Sequence, residues 1–406
     1  MAFDFSSWYD RHGHDSLAFD FNDELDPFRN YDVSLREGFD LIPMWLADMN
    51  FATAPSVMNA LRKRLEHPIL GYFEPTESYF DAVLNWHRTR DGFAELQKEN
   101  LGFERSVLCG IQTALKALTK PGDRILMHSP AYVGFGYVLE SAGVSAEYSP
   151  LYRDEAGVWR MDFADMERRL REHPIRAALL CSPHNPTGRV WERAELEELI
   201  ALFAKYDVNV ICDEIWSDLT RPGKTHIPLL HLNNEAKKRA IVFRSPNKTF
   251  NTGGILGAYY EVFSPELRRR YESQAPGAYF NDMDVLSMHT VIGAYSDEGA
   301  SWADELRRTV AENVDFACDY IETHFDGVKV AKPESTYLLF LDCAGWCEKT
   351  GTDFRELLRR GFSVGVIWED GELFGTPQTI RMNVALPRWK LAEALDRLDR
   401  YAFGAE

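Results

Sequence analysis

The sequence predicts an α/β protein in which a large domain, built on a mostly parallel seven-stranded sheet covered by helices, is joined by a smaller α+β domain. Two observations carry this. From about residue 106 to 262, short apolar runs alternate with longer amphipathic stretches, the pattern of strands that are buried on both faces and linked by crossover helices. After residue 301 the order changes to a long helical pattern, then strand-like and helical segments in turn. At 406 residues the chain also exceeds the size at which a single core stops growing.

Taken in order, the first fifty residues are rich in aromatic and turn residues and read as an arm contributing to the small domain. The large domain is expected over 51–290 and the small C-terminal domain over 291–406. The strand-like runs are "SVLCG", "RILMHSP", "AALLCSP", "VNVICDE", "AIVFRSP" and "GAYYEVF". Between them "WERAELEELIALFAKY" has apolar residues at helical spacing and acids at its start. In the C-terminal part, "SWADELRRTVAENVDFACDYIETHF" predicts one long helix. "STYLLFLD" and "TIRMNVAL" predict strands, with the helix "TDFRELLRR" between them.

Composition narrows the function classes. The formal charge of -18 opposes a polyanionic partner, which argues against nucleic-acid binding. "MAFDFSSWYDRHGHD" has no basic stretch followed by an apolar one, and no run is long enough to span a bilayer, so a cytoplasmic protein without a membrane partner is expected. The six cysteines are scattered, three of them at the ends of apolar runs, as reduced core thiols would be. Neither the Cys343/Cys347 pair nor the "HGH" at 12–14 has a completing ligand set, so no metal is expected.

Ligands of open α/β sheets bind beyond the carboxyl ends of the strands. Directly after successive apolar runs stand "GIQTA" (110–114), "SPAY" (129–132), "SPHNPTG" (182–188), "DE" (213–214) and "SPNK" (245–248). Gly110 precedes "TALKAL", so the amides of Ile111 and Gln112 could face an anion at a helix start, or simply begin a helix. Ser245 and Lys248, three apart, could share one cleft, although the glycine spacing of a phosphate loop is absent. Asp213 at the end of a buried strand needs a cation or a proton donor, supplied either by a structural ion pair or by a ligand. Asn185 sits in a rigid turn that can present its amide, Tyr132 can stack on a planar ligand or merely pack, and Arg381 inside "IRMNV" needs an internal or a substrate carboxylate. An amine, an acid, an amide, an aromatic, an anion pocket and a distant arginine together match the needs of pyridoxal 5'-phosphate.

At these residues the sequence resembles the fold type I pyridoxal phosphate enzymes, the aspartate aminotransferase superfamily. The succession "NPTG", "DE" and "SxxK" carries the likeness, with 28 residues from Asn185 to Asp213 and 35 from Asp213 to Lys248. "PMWLADMNFATAP", "GYFEP", "PHNPTGRVW", "DEIWSDL", "NKTFN" and "RMNVALPR" are most similar to the cystathionine β-lyase or carbon-sulfur lyase branch.

The resemblance implies that Lys248 is the imine-forming lysine, Asp213 the partner of the pyridine nitrogen and Asn185 that of the 3-oxygen, with Asn185 also near the substrate. Tyr132 would stack on the ring and Trp216 would line the cofactor. Ser245 and the amides of Ile111 and Gln112 would take the phosphate. Tyr72 would reach the active site of a neighbouring subunit in a homodimer, with a catalytic and substrate-binding role, and Arg381 would clamp the substrate α-carboxylate. The implied activity is β-elimination from L-cystathionine or a related L-cysteine S-conjugate, the alternative being an aminotransferase of the same fold. The chain departs from the family pattern at Asn50, where an aspartate is common, and at Trp216, where a histidine or tyrosine is common.

Overall fold

The computed structural model describes residues 3–274 and 283–404. They form two compact units, one comprising Thr53–Asn185 and Arg189–Asp304, the other Met1–Ala52, Pro186–Gly188 and Glu305–Glu406.

The larger unit is built on seven strands: β1 (Leu101–Glu104), β2 (Arg124–Ser129), β3 (Ser145–Pro150), β4 (Ala177–Cys181), β5 (Asn209–Asp213), β6 (Ala240–Arg244) and β7 (Ala258–Glu261). Their spatial order is β1-β7-β6-β5-β4-β2-β3. Neighbours from β6 through to β3 are parallel, and only β7 is antiparallel to the strands beside it.

Alternation along the central strands explains their near-continuous apolar text. Met127, Leu179, Ile211 and Phe243 enter one core with Val107, Ile111 and Leu115 of the helix Val107–Leu118. Leu126, Ala178 and Leu180 face the opposite layer, with Met166, Leu199 and Phe203 of the helices Phe163–Glu172 and Arg193–Lys205. With both faces covered, a period-2 pattern disappears from the sequence.

Two strands differ from expectation. "SVLCG" is not a strand: Ser106 caps the helix Val107–Leu118, its side chain accepting from the Cys109 amide, so an apolar run lies on a helix face instead of a ladder. Cys109 is accordingly exposed, while the other five thiols are buried, and none forms a disulfide. The strand lies just upstream, at Leu101–Glu104. Neither it nor Ser145–Pro150 stood out in the sequence, because both lie at sheet edges and carry more polar residues.

The smaller unit has a four-stranded antiparallel sheet of β8 (Lys329–Val330), β9 (Leu338–Asp342), β10 (Glu369–Asp370) and β11 (Thr379–Asn383), in the order β8-β9-β11-β10. The helices Phe354–Ser363 and Arg388–Leu398 belong to it. The N-terminal residues are tied in by backbone pairing: Ile42–Pro43 lie parallel to Val366–Ile367, and the Asn50 amide donates to Ala385 O at 2.9 Å. The helix Asp297–His324 runs as one element across the sequence division between the units.

Candidate active site

Strand order locates the cleft of the larger unit. β2 and β4 are parallel neighbours, yet β2 continues outward to β3 and β4 inward to β5. The connections that follow them therefore diverge, opening a crevice beyond their carboxyl ends. Tyr132 follows β2 and Asn185 follows β4.

The register brings the next two strand ends to the same level. Cys181 pairs with Asp213, and Asp213 with Phe243. The Ser182 amide donates to Asp213 O, and the Glu214 amide to Phe243 O, each at 2.9 Å. Asp213 alternates with Ile211, so its side chain lies on the sheet face covered by the helix Val107–Leu118. The carboxylate accepts from the Ile215 amide at 3.0 Å. Burial raises its pKa to about 6; the Ile215 hydrogen bond and the nearby Lys248 charge oppose that rise, and Glu214 adds to it.

Lys248 lies in the single turn Asn247–Phe250 that follows β6. Its Nζ stands 5.7 Å from the ring centroid of Trp216, itself buried at 2% exposure, a distance at which an ammonium is attracted to the indole face. Ser245 is buried, and its hydroxyl donates to Gly257 O at 2.6 Å while receiving the Asn247 amide at 3.3 Å. Asn185 is buried. Tyr132 precedes the helix Val133–Ala142 with its ring edge-on to Phe135, the centroids 5.3 Å apart. A Cβ on Gly134 would come within 2.5 Å of the Tyr132 ring, so glycine is needed there to let the aromatic lie against the backbone.

The anion-facing end of the helix Val107–Leu118 is not where the sequence places it. Ile111 and Gln112 lie in the second turn of Val107–Leu118, where their amides are spent on intrahelical bonds. The Ile111 side chain is fully buried in the core, and that of Gln112 is bonded to Ser141. The amides without an intrahelical acceptor are those of Val107 and Leu108, one turn earlier. The overlooked signal was Ser106, a capping residue directly before the apolar run. Gly110 has a different function: a Cβ there would meet Phe243 at 2.3 Å, so its absence lets the helix sit close against β6.

The partners of Glu214, which stands in the "DE" motif, are not legible in the sequence. Glu214 is fully buried and is bound by Arg244 Nε at 3.0 Å and Nη2 at 2.7 Å, by His226 Nε2 at 2.9 Å and by the Leu229 amide at 2.8 Å. Arg244 also donates to Asp91 at 2.7 Å, and Asp91 pairs with His87 at 3.0 Å. This network fixes the residue after Asp213 to the residue before Ser245.

Of the remaining candidates, Tyr72 is fully exposed in the larger unit. Arg381 is buried on β11 of the smaller unit, where it forms an ion pair with Glu369. Asn50 donates to Pro43 O at 3.2 Å and accepts from Arg11 at 3.3 Å. An aspartate could accept but not donate there, so the amide suits this pocket. Among the described residues no cluster of three or more His, Cys, Asp or Glu side chains is disposed to hold a metal, and no helix is long and apolar enough to cross a membrane.

The chain is similar to known proteins along most of its length. Cystathionine beta-lyase PatB of Bacillus subtilis (strain 168) is 31% identical over 362 residues, which cover 88% of this chain and 92% of the relative. Protein MalY of Escherichia coli (strain K12) is 30% identical over 404 residues, 97% of each chain. Among solved structures, the PLP-bound C-S lyase from Staphylococcus hominis superimposes with a TM-score of 0.88 at 27% identity, covering 100% of this chain and 99% of that one. The family model for aminotransferase class I and II matches residues 44–398, and the chain belongs to that family.

Proposed function

We propose that the protein is a pyridoxal phosphate-dependent carbon-sulfur β-lyase that cleaves L-cystathionine or a related L-cysteine S-conjugate to pyruvate, ammonia and a thiol. The observation that carries the reading is the pairing, at adjacent strand ends, of a buried acid, Asp213, with an amine, Lys248, that acts on its charge. Relatives that align along nearly their whole length and bear the name cystathionine beta-lyase support the lyase over the aminotransferase alternative.

The residues present fit the cofactor. Asp213 is a buried carboxyl whose backbone bond and the nearby Lys248 charge do not offset its burial, and a protonated ring nitrogen would supply a further cation beside it. Lys248 would hold the cofactor by its Nζ, Asn185 would donate to the ring oxygen, and Tyr132 and Trp216 would contact the ring. The phosphate would take the first-turn amides of Val107 and Leu108, together with Ser245 once its hydroxyl turns from Gly257. Bound pyridoxal phosphate supplies a carbonyl that captures the substrate amine and a ring that takes up the electron pair left at Cα.

The chain's own residues do the rest. Lys248 Nζ removes the Cα proton, a task for which an amine beside a cationic ring is suited. Asp213 stays anionic against the ring nitrogen. Arg381 orients the substrate through its α-carboxylate. The exposed Tyr72 enters the site of a second copy in a homodimer, and the exposed Leu65, Ile69 and Leu70 nearby in sequence are suited to an interface. A cytoplasmic location is supported by six cysteines that form no disulfide.

The test is to add L-cystathionine to cofactor-loaded protein without any 2-oxo acid and to follow pyruvate and free thiol together. Sustained equimolar release is expected. Conversion of the cofactor to its amine form, with turnover only after a 2-oxo acid is added, would instead identify an aminotransferase.

A further inference from the structure

Glu369 and Arg381 stand directly opposite each other across the β10–β11 ladder, and their side chains form an ion pair. The guanidinium is almost wholly buried. It also donates from Nη2 to Trp45 O at 2.9 Å and lies 4.6 Å from the Phe374 ring centroid. The same Nη2 serves Glu369.

A buried arginine-carboxylate pair is no better for stability than a well-packed apolar pair of the same size. What it does supply is a guanidinium already engaged by a carboxylate. An incoming carboxylate binds arginine best through two parallel N–H donors. One of the terminal nitrogens is committed to Glu369, so a second carboxylate meets both a shared donor and a neighbouring negative charge.

We infer that Glu369 is a resident carboxylate that the substrate carboxylate must displace from Arg381, and that it thereby sets substrate affinity and discriminates against small carboxylates. This rests on the reading above that Arg381 is the substrate-carboxylate site. Short acids that offer nothing but a carboxylate bind weakly, because they only exchange one arginine-carboxylate contact for another. An S-conjugated amino acid brings its amine and side chain as well and can drive the exchange. Displaced Glu369 remains in a poorly hydrated place, where burial and the adjacent Asp370 both push its carboxyl above the ordinary range while Arg381 pulls it down. Release from Arg381 therefore favours its protonated form.

The experiment compares wild type, Glu369→Gln and Arg381→Ala, all cofactor-loaded. Calorimetry measures binding of 3-(methylthio)propionate, a thioether acid without an amine, and steady-state assays give KM and kcat for L-cystathionine. Glu369→Gln is expected to bind the acid roughly tenfold tighter, the worth of one charge-assisted contact. KM should fall by a similar factor, with the change in KM rather than kcat. Arg381→Ala should abolish binding of the acid.

Unchanged affinity in a folded Glu369→Gln protein, or binding that survives Arg381→Ala, would overturn the inference. If the glutamine variant does not fold, Glu369→Asp, which withdraws the carboxylate by one methylene, should give an intermediate gain; no gain there is equally fatal. Failure of the lyase reading is separate: it would show as no pyruvate from wild type, with the calorimetric contrast intact.

Discussion

Arg244 and Glu214 meet at the ends of neighbouring parallel strands, Nη2 to Oε2 at 2.7 Å, with neither side chain reaching solvent. The acid is held well ionised by His226 and Arg244 despite its burial. Asp213, one residue earlier, is held the other way. Removing one member of such a pair leaves an uncompensated buried charge, which costs about 3–5 kcal/mol. Arg244→Ala should therefore unfold at much lower denaturant concentration than wild type and lose cofactor affinity with it. Denaturation monitored with and without pyridoxal phosphate checks both.

Lys248→Ala should abolish turnover while leaving the thermal midpoint of the cofactor-free protein nearly unchanged, because the half-buried amine is not part of the core. Turnover above background in that variant would remove Lys248 as the base. Covalent attachment of the cofactor, trapped by borohydride and located by mass spectrometry, should map to Lys248 in wild type and be absent in the variant.

Asp213 gives a pH prediction. Its folded-state pKa is raised from 3.8 to about 6, so between these values the native cofactor-free protein binds more protons than the unfolded chain. Its contribution to stability is therefore full below about 4 and is lost as pH rises through 6. The loss is about 3 kcal/mol for a shift of about two units. Asp213→Asn, without cofactor, should match wild type near pH 4 and exceed it by an amount of that order at pH 7, as measured by urea unfolding. A constant difference across the range would contradict the assignment. Loaded with cofactor, the variant should lose its advantage, since the ring nitrogen then lacks its acid.

Ser106→Ala removes the cap of the helix Val107–Leu118. The expected destabilisation is about 1 kcal/mol. A larger consequence should appear in phosphate affinity, because the Val107 and Leu108 amides are aimed by that first turn. Pyridoxal phosphate binding should weaken more than binding of pyridoxal, which lacks the phosphate. Equal weakening of the two would place the phosphate elsewhere. Gln112→Ala, by contrast, should leave both unchanged.

The parts of this protein that could be read from its sequence are those where a single local signal suffices. Central strands such as Asn209–Asp213 announce themselves by apolar runs ended by a polar residue, and the spacing from Asn185 through Asp213 to Lys248 follows from strands that are adjacent in space. The edge strands lack a sustained apolar run: Leu101–Glu104 is short and broken by Gly102, and Ser145–Pro150 is mostly polar and partly exposed. The start of the helix Val107–Leu118 reads a turn late in the sequence because "VLC" suits either a strand or a helix, and only the cap at Ser106 decides between them. Partners far apart in sequence left no trace: nothing in the text joins Glu214 to Arg244, or Arg381 to Glu369.

The missing side chain at Gly110 has a consequence beyond packing. Phe243 fills the space a methyl group would need, and five residues further along the same chain direction stands Lys248. The depth of one ring thus acts as a gauge block between the helix mouth and the amine. Adding a single carbon at 110 would reset that gauge, so that a cofactor still able to enter would find its two anchors out of step.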